Sequence, residues 1–115
     1  MATVVGSGTG ELVDRLSQDL AALAEPHRLL VLRHLRRGPR TLGFLAKAID
    51  VPQPLASHHL AVLLEAGLVH RRRTGRFSCY SADPERVREL CRRLERLSGA
   101  SGAVAELAPP PDDPC

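Results

Sequence analysis

A mainly α domain with a small β-hairpin is the fold class this sequence predicts, on three observations. Residues 51–69 read as a helix gated by Pro52 and Pro54 and stopped by Gly67. Two strand-like runs follow, flanking Thr74-Gly75, with Arg71, Arg72, Arg73 and Arg76 at or beside the tip. Amphipathic stripes at helical spacing stand near both ends of the chain. Helix, hairpin and arginine tip together make a winged helix-turn-helix, expected over residues 10–98 between a disordered N-terminal tail (1–9) and a disordered C-terminal tail (99–115).

The elements follow in order. Residues 1–9 are rich in Gly, Ser and Thr and show no periodicity. From Glu11 the pattern turns helical, with Leu12, Val13, Leu16, Leu20 and Leu23 on one side. That stripe suits either the core or a second subunit. Pro26 opens a second helix, with Leu29, Leu30, Leu32 and Leu35 expected inward and Gly38-Pro39 ending it. Arg33, Arg36, Arg37 and Arg40 cluster near its end, where they suit a helix C-terminus or a grip on phosphates equally well. Thr41 is a natural N-cap for a third helix, Leu42 to Ile49, and Asp50-Val51 is the turn beyond it.

In the proline-gated helix, Leu55, His59, Val62 and Leu63 recur at helical spacing and are expected inward, which gives His59 a buried structural role. Gln53, Ala56, Ser57 and His58 are left on the outward face near its start. Amide, hydroxyl and imidazole groups there suit base edges and phosphates in a major groove. After the hairpin, Asp83-Pro84-Glu85 starts a last helix, with Val87, Leu90, Cys91, Leu94 and Leu97 as its apolar stripe. Its arginines alternate with Glu85, Glu89 and Glu95 and read as a solvated, salt-bridged face. Residues 99–115 hold Pro109-Pro110-Pro111 and Asp112-Asp113.

The 115 residues make one domain with a small core, so a dimer interface is a natural second place to bury apolar surface. Net charge is +3, but residues 26–76 carry ten basic side chains against Asp50 and Glu65, a local +8. A polyanion partner accounts for that segregation better than solubility does. Cys79, Cys91 and Cys115 are too widely spaced for a disulfide framework or a paired zinc motif. No run is long enough for a membrane helix, which points to a cytoplasmic protein. No nucleophile triad, carboxylate pair or phosphate loop appears, and so short a chain encloses little pocket, which argues against an enzyme.

Three stretches carry a family resemblance. They are Leu23-Ala24-Glu25-Pro26-His27-Arg28 with Leu32, Gln53-Pro54-Leu55-Ala56-Ser57-His58-His59-Leu60, and Leu63-Leu64-Glu65-Ala66-Gly67-Leu68-Val69. Through them the sequence resembles the ArsR/SmtB family of small bacterial transcription regulators. The resemblance implies a homodimeric repressor on double-stranded DNA, a palindromic operator, and first and last helices forming the dimer interface. On that footing Leu12, Leu16, Leu20, Val87, Leu90, Cys91 and Leu94 are interface candidates. Gln53, Ser57, His58, Arg40, Lys47, Arg71, Arg72, Arg73 and Arg76 are the DNA-contact candidates.

Many regulators of that family release DNA when a transition metal binds. The cysteine-pair site it often uses falls on Thr41-Leu42-Gly43-Phe44-Leu45, and its last-helix site falls on Pro84, Arg86, Leu97 and Ala100, so neither set of ligands is present. His27, His34, His70 and Cys79 remain as metal candidates for a nickel, zinc or cobalt effector. His27 and His34 share a helix face two turns apart. A two-residue turn at Thr74-Gly75 would set His70 opposite Cys79. Glu85 and Glu89 could share an ion but are better matched to neighbouring arginines. A redox pair of Cys79 and Cys91, or a co-regulator protein that does the sensing, is the alternative source of a signal.

Overall fold

The computed structural model describes residues 8–99. Within that range lie five helices and three short strands. Helix α1 (Gly8–Leu23) leads, followed by α2 (Pro26–His34), β1 (Arg40–Thr41), α3 (Leu42–Ala48), α4 (Gln53–Glu65), β2 (Val69–Thr74), β3 (Phe77–Ala82) and α5 (Pro84–Ser98). The expected N-terminal tail lies outside the described residues from 1 to 7, but Gly8 and Thr9 belong to α1. Of the expected C-terminal tail only Gly99 is described, in the left-handed conformation that stops α5.

Three helices, α2, α3 and α5, start where a side chain accepts from a free first-turn amide, and a proline, which brings no amide of its own to satisfy, stands in the first turn of α2, α4 and α5. Glu25 caps α2 by accepting from the Arg28 amide, and Pro26 takes the first turn. Thr41 Oγ accepts from the Phe44 amide at 3.1 Å to begin α3. Asp83 caps α5 through the Arg86 amide at 3.1 Å. The turn between α3 and α4 is made by Asp50 with φ 58°, a left-handed conformation that aspartate tolerates. Gly67 ends α4 with φ 75°, and the Leu68 amide closes back onto the Leu63 carbonyl at 2.9 Å.

The core joins α2, α3, α4 and α5 through Val31, Leu45, Ala56, Leu60, Leu63, Leu68 and Leu90, all fully buried, and the sheet adds Val69 and Tyr80. Each such leucine contributes about 1.5–3 kcal/mol by leaving water. Two expected stripes are rotated. In α4 the buried line is Ala56, His59, Leu60 and Leu63, so Ala56 faces in and Leu55 is exposed. At about 100° per residue, Leu55 lies roughly a quarter turn from the centre of that line. The nine-residue α2 buries Val31, and Leu35 directly after the helix is buried on the same side, which leaves Leu29 and Leu30 exposed on the far side.

The sheet is antiparallel in the order β1-β3-β2. Its third strand, β1, has no sequence signal, being two residues long; Arg40 pairs with Tyr80 and Thr41 with Cys79. The hairpin register differs from expectation by one turn position. Thr74 pairs with Phe77, Arg72 with Cys79 and His70 with Ser81, so the loop is Gly75-Arg76. Gly75 takes φ 61° in the first loop position, where a primed turn needs a residue free of a Cβ. His70 and Cys79 therefore do not form a cross-strand pair.

Candidate nucleic-acid interface

The expected DNA-contact residues stand on β1, α3, α4 and the β2–β3 hairpin. Gln53, Ser57 and His58 are exposed on the N-terminal half of α4, Ser57 and His58 on the side away from its buried line and Gln53 at its first residue. The Gln53 amide lies over α3, its Nε2 3.5 Å from where a Cβ on Gly43 would stand. Arg71, Arg72, Arg73 and Arg76 are exposed on the hairpin. Side chains alternate across a strand, so Arg71 and Arg73 project from one face of the ribbon and Arg72 from the other. Among the described residues none of the four has a protein partner, which leaves their donors free for an external anion.

Arg40 and Lys47 are placed differently. Lys47 is exposed in the last turn of α3. Arg40 is half-buried in β1, donates to the Pro39 carbonyl at 3.1 Å and holds its guanidinium 5.2 Å from the centre of the Phe44 ring. That aromatic contact orients the cation without neutralising it.

α4 is tied to the rest of the molecule at its end and at its middle. At its end, Arg86 Nε donates to the Ala66 carbonyl at 2.9 Å, and Arg86 Nη2 donates to Asp19 of α1 at 2.9 Å. Arg93 also approaches Asp19, at 3.7 Å. Arg86 and Arg93 are thus half-buried junction residues, a correction to the solvated face expected of α5. Glu85 and Glu89 pair as expected, Glu85 with Arg88 and Glu89 with Arg86 and Arg93. The Arg93 hydrogen bond is the main cause of a Glu89 carboxyl held below its usual value, against partial burial.

Midway along α4, His59 is buried as expected, and Arg28 of α2 donates to its Nδ1 at 3.2 Å. Arginine has no acceptor, so that nitrogen carries its lone pair toward the guanidinium. Arg28 also donates to the Ala22 carbonyl at 2.6 Å and the Ala21 carbonyl at 3.4 Å. Burial is the largest influence on His59 and lowers its pKa below the ordinary histidine value, while the Glu25 charge works the other way. For Glu25, burial pushes upward, but hydrogen bonds from His27 and the Arg28 amide, with the nearby histidine charges, leave it below the usual carboxylate value.

The four metal candidates are scattered. His27 Nδ1 lies 2.9 Å from Glu25 Oε1, whereas His34 stands edge-on to Phe44 with ring centres 6.3 Å apart. His70 Nε2 lies 2.8 Å from Asp83, which ties the wing to the cap of α5. That hydrogen bond is the main reason the Asp83 carboxyl sits below its usual range, helped by the Arg86 amide. Cys79 is half-buried in the central strand with a free thiol. Glu25 and His59 are the partners of His27 that the sequence reading did not assemble. Glu25 stood out only as the residue before Pro26, and His59 only as an inward histidine 31 positions from Arg28.

The interface candidates divide as well. Leu16 and Leu90 are buried within the chain's own core, with Leu20 and Val87 packed against it. Leu12, Cys91, Leu94 and Leu97 are exposed, Leu12 at 62% and Leu97 at 56%. Cys91 is thus outside the core rather than in it. Leu12, Val13, Leu16 and Leu97 line an apolar groove between α1 and α5, edged by Arg93 and Arg96. No described helix is long and apolar enough to cross a membrane.

Comparison with known proteins agrees with this architecture. Residues 25–71 match the sequence pattern of the bacterial regulatory proteins of the arsR family. The chain is 41% identical over 70 residues to the HTH-type transcriptional repressor SmtB of Mycobacterium tuberculosis, covering 61% of this chain but only 52% of that one. It therefore spans about half of that relative's length. It is 36% identical over 92 residues to a probable mercury resistance operon repressor of Streptomyces lividans, covering 80% of this chain and 73% of that one. Among solved structures, a homodimeric winged helix-turn-helix DNA-binding domain from Mycobacterium bovis superposes with a TM-score of 0.66 at 25% identity, over 89% of this chain and 99% of that one.

Proposed function

Because the chain belongs to the arsR family of bacterial regulatory proteins, we propose that it is a DNA-binding transcriptional repressor, acting as a homodimer on a palindromic operator and answering to a divalent transition metal. The observation that carries the reading is the exposed Gln53, Ser57 and His58 on α4 beside a wing of four unpaired arginines. The helix reads base edges in the major groove, and the wing arginines hold phosphates or enter the minor groove. The apolar groove of α1 and α5, with Leu12, Leu94 and Leu97 exposed, is the face on which a second copy packs. A two-fold dimer then sets two recognition helices in successive major grooves, about 34 Å apart. Nothing in this arrangement calls for catalysis.

Metal responsiveness is supported by an inventory of imidazole and carboxylate, which favours nickel, zinc or cobalt over ions that seek soft thiolates. The deciding experiment is fluorescence anisotropy of labelled DNA from the protein's own upstream region, under reducing conditions, with and without nickel or zinc. Tight, salt-dependent binding that changes with one metal is expected. Tight binding indifferent to both metals would retain the repressor and remove the metal. Absence of specific binding would overturn the reading.

A further inference from the structure

At the corner between α1 and α2, Glu25 and His27 meet His59 of α4. One ligand atom from each of the three lies within 4.8 Å of the others. Glu25 Oε1 is 2.9 Å from His27 Nδ1, and Glu25 Oε2 is 3.7 Å from His59 Nδ1. The two imidazole rings stack at 5.3 Å with 20° between their planes, so both Nδ1 atoms address one carboxylate. His59 is buried while His27 and Glu25 are half-buried, which gives the cluster a dry wall and an open mouth.

We propose that Glu25, His27 and His59 form a binding site for a divalent transition ion, nickel, zinc or cobalt. This rests on the metal-responsive reading above and names the site for it. Two imidazoles and a carboxylate are the donor set such ions favour, and three protein ligands leave a position for water. His59 already presents its Nδ1 lone pair to a cation, the guanidinium of Arg28. His27 instead donates its Nδ1 proton to Glu25, so binding through that nitrogen moves the proton to Nε2, with solvent as carrier.

The ion competes with Arg28 for the His59 lone pair. Arg28 keeps its bonds to the Ala22 and Ala21 carbonyls when it gives up His59, so it can withdraw without losing its place. The corner then has two arrangements, with the arginine or the ion on His59. Ser57 and His58 precede His59 directly on α4, so the exchange acts on the helix that carries the proposed base contacts.

The test is titration of the full chain with Co2+, Ni2+ and Zn2+ against a chromophoric chelator, with the Co2+ d–d spectrum as a readout independent of DNA. His27→Ala and Glu25→Gln should each weaken binding at least about tenfold, with unchanged circular dichroism, while His34→Ala and His70→Ala bind as wild type. Wild-type affinity in His27→Ala, or no metal binding by the wild type, would overturn the site. DNA anisotropy with added metal separates the two proposals. A response that persists in His27→Ala refutes the site and leaves the metal-responsive reading. Metal bound at the site without a DNA response supports the site and refutes that reading.

Discussion

Arg86 in α5 donates to Asp19 in α1 at 2.9 Å while its Nε takes the Ala66 carbonyl at the end of α4. One guanidinium thus fastens α1 and α5 to the end of α4. Both members of the pair are mostly withdrawn from solvent, at 23% and 20% side-chain exposure, so the contact is worth more than a surface ion pair. Arg86→Ala should destabilise the fold by about 1–3 kcal/mol, the cost of leaving part-buried polar groups unpaired. Urea denaturation of Arg86→Ala, Asp19→Ala and the double variant should show losses smaller in combination than in sum. Simple additivity would mean that the contact is unimportant in solution.

The two halves of the proposed DNA face should fail differently. Replacing Arg72 and Arg73 with alanine should weaken binding to every sequence and flatten the salt dependence by about one unit per lost phosphate contact. Ser57→Ala or Gln53→Ala should instead reduce discrimination at one base position, by about 1–3 kcal/mol. Anisotropy at several salt concentrations on operator and scrambled DNA checks both. Loss of discrimination at a single base after changing the wing would reverse the assignment.

Leu94 is exposed at 45% on the α5 surface that lies outside the chain's own core. Leu94→Glu places a charge where a second copy is proposed to pack. Analytical ultracentrifugation should find a folded monomer with much weaker operator binding, because two half-sites are no longer read together. A variant that remains dimeric would move the interface elsewhere.

Acid should loosen the wing from α5. The Asp83 carboxyl is held below its ordinary value of 3.8, first by the His70 hydrogen bond and then by the Arg86 amide. As pH falls the unfolded chain takes up this proton first, so the stabilisation is full above about 3.8 and is lost as pH drops through the lower folded value. Asp83→Asn and His70→Ala should each flatten that part of the stability-against-pH curve, measured by thermal denaturation at pH 2–5. An unchanged acid limb in both variants would refute the coupling.

Most of the architecture was legible from punctuation in the sequence. Pro26, Thr41, Pro52, Gly67 and Asp83-Pro84 each mark a boundary by satisfying or refusing a backbone hydrogen bond, and boundaries were found there. The exposed Gln53, Ser57 and His58 followed from helical spacing. What stayed hidden depends on partners distant in sequence. Leu29 and Leu55 are as apolar as their buried neighbours, and only the docking angle of a short helix decides which leucine is covered. Arg86 looked like one arginine among several until α1 and α4 were brought beside it. The corner of Glu25, His27 and His59 is likewise assembled by the packing of α2 on α4.

The two residues of β1 have a consequence out of proportion to their length. Arg40 and Thr41 pair with the central strand of the wing, and Thr41 is the very residue that caps α3, so the wing and α3 share one frame. Such a frame works like a calliper with fixed jaws. A duplex seated between α4 and the wing, as proposed above, would have to match the gauge or deform to meet it. Selectivity would then arise partly at base steps that no side chain touches, through how cheaply each one bends.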